Sequence, residues 1–166
     1  MGLRGTRDMV RRSILKRFGF TGLVSIIVGR FSRWLNSRCR LIDGHGEARS
    51  SQWLGDYGER VAVDWLRARG IKVLGRNFKA PRGGEVDIVA RDGKLLLFVE
   101  VKTRRAVGGI RPLDAVNREK QRLIERGANA WLKRLGTRDL PWRFDVIEVL
   151  VEDGEKPRVN QVRDAF

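Results

Sequence analysis

The chain has 166 residues, 42% hydrophobic and 33% charged, which suits one domain of ordinary size with an appendage. Thirty-five Lys and Arg against 20 acids leave a net charge of +15, a balance that favours a polyanionic partner: nucleic acid or an anionic membrane surface. A single cysteine, Cys39, and a single histidine, His45, exclude an internal disulfide framework, a zinc site and an obvious His-based triad, so any catalysis must use carboxylates and lysine, with a metal as the expected partner; the lone thiol suits a reducing, cytoplasmic setting.

Residues 1–49 carry eleven Lys or Arg against three acids. The apolar run Phe18 to Gly29 is too short for a membrane span, which needs roughly 20 residues. From Leu23, the residues Leu23, Ile27, Phe31, Trp34 and Leu35 recur at helical spacing with Arg30, Arg33 and Arg38 nearby. Such a basic amphipathic helix can lie on a membrane or against nucleic acid, so residues 8–40 are a candidate for peripheral membrane contact. A cleaved leader and an extension of little role are the alternatives, and no convincing small-residue cleavage site is present. Asp43 to Ser51 reads as a linker, which places the boundary of the main domain, residues 50–166, after this extension.

Residues 52–69 form a predicted helix with Leu54, Tyr57, Val61, Trp65 and Ala68 as its apolar stripe. Glu59 lies off that stripe, with Gly55 and Val63 at i−4 and i+4, so it lacks the local basic partner that usually explains a helical Glu; a solvated Glu is the bland alternative. Ile71 to Leu74 reads as a short strand and Arg76 to Gly84 as a basic loop carrying Arg76, Lys79 and Arg82.

The segment from Gly84 to Lys102 reads as two strands joined by a tight turn at Asp92-Gly93. With those two residues as the loop, Asp87 pairs with Phe98 and Glu85 with Glu100. Alternation puts Glu85, Asp87 and Val89 on one face with Leu96, Phe98, Glu100 and Lys102, and leaves Val86, Ile88, Leu95, Leu97, Val99 and Val101 as an apolar face that must pack under something. Asp87 and Glu100 are then a diagonal pair, roughly 7–8 Å apart. Like charges facing each other across a ladder are unfavourable, so this is either a misjudged register or a site. A hard divalent cation such as Mg²⁺ resolves the repulsion, and Lys102 adds a point charge able to orient water or offset charge on a phosphate. The bland alternative is an exposed strand face with Lys102 paired to one of the acids.

Arg104 to Arg111 is a second basic loop. Pro112 or Leu113 opens a long predicted helix to about Leu135, weakened in its middle by Gly127, with Lys120 and Gln121 at polar positions. Arg143 to Val151 reads as a strand, and the tail to Phe166 as a last strand or cover. The order is α-β-β-β-α-β, an α/β class with helices flanking one mixed central sheet.

Gly58-Glu59, Gly84-Glu85-Val86-Asp87, Phe98-Val99-Glu100-Val101-Lys102-Thr103-Arg104, Arg143-Phe144-Asp145-Val146 and the closing Ala165-Phe166 together resemble the PD-(D/E)XK nuclease superfamily, with its restriction-endonuclease-like fold. More closely, they resemble the YraN-type uncharacterised bacterial family, itself similar to archaeal Holliday junction resolvases. The resemblance covers residues 52–166. It implies Asp87 and Glu100 as metal ligands for Mg²⁺ or Mn²⁺, the Val101 carbonyl as a third ligand, Glu59 as a helix carboxylate binding metal directly or through water, and Lys102 as the catalytic lysine. Gln121 corresponds to a polar helix residue near such a site, and Asp145 reads as structural. The implied activity is endonucleolytic hydrolysis of structured or single-stranded DNA, by an enzyme of a kind that tends to be a homodimer. Arg76, Lys79, Arg82, Arg104, Arg105, Lys120 and Gln121 are the candidate nucleic-acid contacts. The alternative is a nucleic-acid-binding protein that keeps the fold without the chemistry.

Overall fold

The structure, a computed structural model, describes residues 33–106, 116–136 and 139–166. Most of the expected N-terminal basic helix, much of the second basic loop and the expected helix start at Pro112 or Leu113 lie outside the described residues. The elements in order are α1 (Arg33–Asn36), α2 (Ser51–Ala68), β1 (Lys72–Lys79), β2 (Glu85–Asp92), β3 (Leu95–Arg105), α3 (Arg118–Leu135), β4 (Trp142–Val151) and β5 (Arg158–Val162). The expected order is therefore extended by a short helix in front and a fifth strand behind.

The five strands form one mixed sheet in the spatial order β1-β2-β3-β4-β5. Only β3 and β4 run parallel, joined through α3; the other pairs are antiparallel. Each face of the sheet carries a core. On one face α2 lays Tyr57, Val61, Ala62, Trp65 and Leu66 over Ile88, Ala90, Leu97, Val99, Ile147 and Val149. On the other, α3 lays Ile124, Ala128 and Leu132 over Val86, Val89, Leu96, Phe98, Phe144 and Val146. This layered arrangement of a mixed sheet between helices is compatible with a restriction-endonuclease-like α/β fold.

Both helices start on side-chain caps. Ser50 accepts from the Trp53 amide at 3.1 Å and Asn117 from the Lys120 amide at 2.8 Å, each satisfying an orphan donor of the first turn. Residues before the main helix also join the fold. Cys39 and Leu41 are buried in the α2-side core, with Trp34 and Leu35 packed against it. The Cys39 amide donates to Glu155 O and the Leu41 amide to an Asp153 carboxylate oxygen, which laces this segment to the β4–β5 turn.

Two expectations about the sheet change. The expected loop from Arg76 to Gly84 is mostly strand: β1 runs to Lys79, so Arg76 and Lys79 stand on a sheet edge and only 80–84 turns. An edge strand has one open side, where charged side chains stay solvated, so its sequence reads as loop. The hairpin register also differs by one residue in each strand. Asp92 pairs with Leu95, leaving Gly93 and Lys94 as the loop, and Val89 faces Phe98. Gly93, with φ of +56°, supplies the positive φ at the first loop position, as in a type II′ turn; Asp92 is the last strand residue.

Candidate functional site

The register change brings the acids closer than expected. The β2–β3 ladder ends at the pair Ile88 and Val99. Continuing it by one step sets Asp87 directly opposite Glu100 instead of diagonal to it. Beyond that point the strands part. The Val101 amide, which would pair with the backbone of β2, donates instead to Asp87 Oδ2 at 2.7 Å. The same parting turns Val86 away from its expected face: it packs with the α3-side core, whereas Ile88 packs on the α2 side. Asp87 thus sits in the cleft where two strands separate, with its carboxylate standing in for a lost ladder partner.

Glycines set the walls of this cleft. A Cβ on Gly58 would lie 1.7 Å from Thr103 Oγ1, so only glycine lets α2 come this close to β3 just beyond Lys102. Residue 59 is therefore held near the parting strands. On the opposite face, a Cβ on Gly127 would meet Val86 Cγ2 at 2.8 Å, and one on Gly84 would meet the Gly127 amide at 2.7 Å. The glycine that weakens α3 as an isolated helix is what lets α3 press onto the start of β2.

Both carboxylates are nearly buried, Asp87 at 9% exposure and Glu100 at 3%. Burial, and then the Glu100 charge, push the Asp87 carboxyl from its ordinary value of 3.8 up to about 7, against the opposing pull of the Val101 amide and Lys120. The Glu59 charge adds a smaller push in the same direction. Its own nearest partner is Arg76, whose guanidinium lies 3.5 Å away. Glu100 carries two ammonium groups: Lys102 Nζ lies 3.0 Å from Oε1 and Lys120 Nζ 3.2 Å from Oε2. Burial alone would lower the Lys120 pKa, but Glu100 and Asp87 outweigh it and hold the ammonium above its ordinary range. Among the described residues, no three Asp, Glu, His or Cys side chains are arranged to hold a metal ion by themselves.

The remaining predicted residues divide by what they touch. Gln121 donates its amide to Val116 O at 2.7 Å, closing the start of its own helix. Arg104 lies 3.8 Å from Glu148, and Arg105 donates to Arg49 O at 2.8 Å on the opposite side of β3. Lys79 and Arg82 are exposed beside the start of β2. Glu85 contributes to the field on Lys120. Asp145 is fully buried and structural: Arg143 grips it through two nitrogens at 2.7 and 3.1 Å, Gln161 donates at 2.7 Å and the Asp164 amide at 3.1 Å.

Two features escape sequence reasoning. Lys120 reaches Glu100 from across the fold, a contact that no local pattern encodes. Glu148 is buried, is the parallel-strand partner of Lys102, and its Oε1 has no hydrogen-bond donor. A signal for Glu148 was present: it interrupts an apolar strand at the parity of Phe144 and Val146, which face the α3 side.

The profile of an uncharacterised protein family, UPF0102, matches residues 58–149, from the glycine before Glu59 to just past Glu148. A UPF0102 protein of Geobacter sulfurreducens is 49% identical over 113 residues, 68% of this chain and 88% of the relative. Another, from Trichlorobacter lovleyi, is 44% identical over 119 residues, 71% of this chain and 93% of its own length. A third, from Rhodococcus jostii, is 42% identical over 113 residues, covering 68% and 95%. The chain belongs to the UPF0102 family.

Proposed function

We propose that this UPF0102 chain is a divalent-metal-dependent endonuclease of the PD-(D/E)XK type, similar to Holliday junction resolvases and acting on structured or single-stranded DNA. One observation carries the reading: two nearly buried carboxylates, Asp87 and Glu100, face each other where β2 leaves β3, with the Lys102 ammonium 3.0 Å from one of them. Burial first, and then the like charge of Glu100, disfavour the ionised Asp87, a cost that a shared cation would relieve. Two hard oxygen donors on rigid strands suit Mg²⁺ or Mn²⁺, which are commonly held by one or two carboxylates with water and substrate phosphate completing the shell. The residue set fits on that basis, without requiring Glu59 as a direct ligand.

Asp87 and Glu100 would hold the ion, with the Val101 carbonyl beside them. When bound, it supplies Lewis acidity toward a phosphodiester oxygen and acidifies a coordinated water. Lys102 orients the attacking water and faces the charge that develops on the phosphate. Glu59, paired with Arg76, would act on the ion through water once that pair loosens. Lys79, Arg82 and Arg76 line the flank where a polyanion would run, in keeping with the net charge of +15. The second reading, a DNA-binding module without turnover, draws on the two ammonium groups that already neutralise Glu100.

Cleavage of four-way junctions, flaps and single strands by wild type and Asp87→Ala, with and without Mg²⁺ or Mn²⁺, separates the two. The nuclease reading expects metal-dependent cleavage that disappears in the variant. Equal cleavage by both proteins rules out this site. Salt-dependent binding with no cleavage under any metal favours the module.

A further inference from the structure

We propose that Lys120 is a built-in counter-ion of the site: its ammonium pairs with Glu100 Oε2, and a divalent metal bound by Asp87 and Glu100 displaces it toward the substrate phosphate. The inference rests on the nuclease reading above and assigns this helix lysine a role of its own.

Geometry carries it. Glu100 has two oxygens and each already faces an ammonium group, so a divalent metal on Glu100 meets a competing cation at either one. Lys102 and Lys120 are not equivalent in this exchange. Lys102 stands two residues from Glu100 on the same strand, at Oε1. Lys120 approaches Oε2 from α3, a separate element packed against the hairpin. Lys120 is thus the ammonium brought to Glu100 by a separate element of the fold. Its 3.2 Å contact is an ion pair that gives Glu100 Oε2 no properly directed hydrogen bond, so little directional bonding holds it there.

The backbone at this point is pinned while the side chain is free to swing. The Lys120 amide is capped by Asn117 at 2.8 Å, and Gln121 closes the same turn onto Val116 O. The Lys120 side chain is 28% exposed, so its four-carbon stem has solvent to move into. Displacement leaves a positive charge one side chain away from the ion, on the side open to a bound phosphate. An ammonium released in that way is a phosphate contact that exists only when metal is present, which couples metal occupancy to DNA grip.

The test uses the full chain and Mn²⁺ titrated by calorimetry without DNA, on wild type, Asp87→Ala, Lys120→Gln, Lys120→Arg and Lys133→Gln. Displacement predicts that Lys120→Gln binds Mn²⁺ about three- to tenfold tighter than wild type, because the competing charge is gone. Lys120→Arg stays within about twofold, and so does Lys133→Gln, which removes the same charge from the far end of α3. In Mn²⁺, with uncleaved junction DNA read before turnover, Lys120→Gln binds the DNA several-fold more weakly than wild type. Unchanged or weaker Mn²⁺ binding by Lys120→Gln, with wild-type binding still lost in Asp87→Ala, overturns the counter-ion role and leaves the metal site standing. Absence of any Asp87-dependent Mn²⁺ binding overturns both.

Discussion

Replacing Asp87 by Asn is expected to make the metal-free protein more stable at pH 8 while removing the proposed metal-dependent activity. The carboxyl is shifted from 3.8 to about 7 by burial and by Glu100, net of the help it receives from the Val101 amide and Lys120. A folded-state pKa above the unfolded one means that the folded chain holds its proton more tightly, so stability is greatest below the unfolded value and falls as pH rises through the folded value. Roughly three pKa units at 1.36 kcal/mol each set an upper bound of about 4 kcal/mol. Because Asp87 shares the cleft with Glu100, about 2–4 kcal/mol is the expected gain for the neutral isostere at pH 8. Asn keeps an oxygen to accept from the Val101 amide, so the hydrogen bond at 2.7 Å survives the change. Urea unfolding in EDTA at pH 4, 5.5, 7 and 8.5 reads this directly. The wild-type curve should fall with pH across this range while Asp87→Asn stays flatter, the two meeting near pH 4. Added Mg²⁺ restores stability to wild type alone, since only the intact site gains from binding. Parallel pH profiles, or a variant less stable than wild type at pH 8, would refute the idea that this carboxylate is held in a strained, cation-seeking state.

Gly58→Ala should cost about 2–4 kcal/mol in unfolding free energy, because its Cβ would fall 1.7 Å from Thr103 Oγ1; partial relief in a Thr103→Ala background, read as a double-mutant cycle, checks the cause. Asp145→Asn should lower stability by about 3 kcal/mol through the loss of its paired charge beside Arg143, yet leave Mn²⁺ affinity unchanged, since Asp145 is tied to the C-terminal segment and not to the cleft. Lys79→Gln and Arg82→Gln should each reduce the slope of log affinity for DNA against log salt by about 1 if they meet phosphates, as filter binding at several salt concentrations would measure. A slope unmoved by both substitutions would place the DNA path elsewhere.

Much of the site was legible because strand alternation is local. Counting by twos from Asp87 and from Glu100 puts both on the face that carries Phe98 and Lys102, and that assignment survives a register change of one residue in each strand because parity does not change. The Asp145 role was legible for a similar reason: an acid two residues from Arg143 on one strand has a partner on its own face. The register itself was not, since Asp92-Gly93 and Gly93-Lys94 both make acceptable turns, and the choice falls to how the flanking apolar residues meet the two helices. Val86 illustrates the same limit: its side depends on where β2 parts from β3, which is set by the Asp87 carboxylate capturing the Val101 amide.

By itself, then, the sequence determined α2, the two hairpin strands, β4 and the shared face of Asp87, Glu100 and Lys102, because these follow from periodicity and chemistry within a few residues. Only the tertiary structure decided that Asp87 and Glu100 meet head-on in a parted ladder, that Glu59 on α2 pairs with Arg76 on β1, that Lys120 reaches Glu100 from α3, and that Glu148 is buried on β4 beside Lys102. Those contacts join segments far apart in the chain, and their distances depend on how closely the helices can approach the sheet, which glycines 58, 84 and 127 set through the atoms they lack.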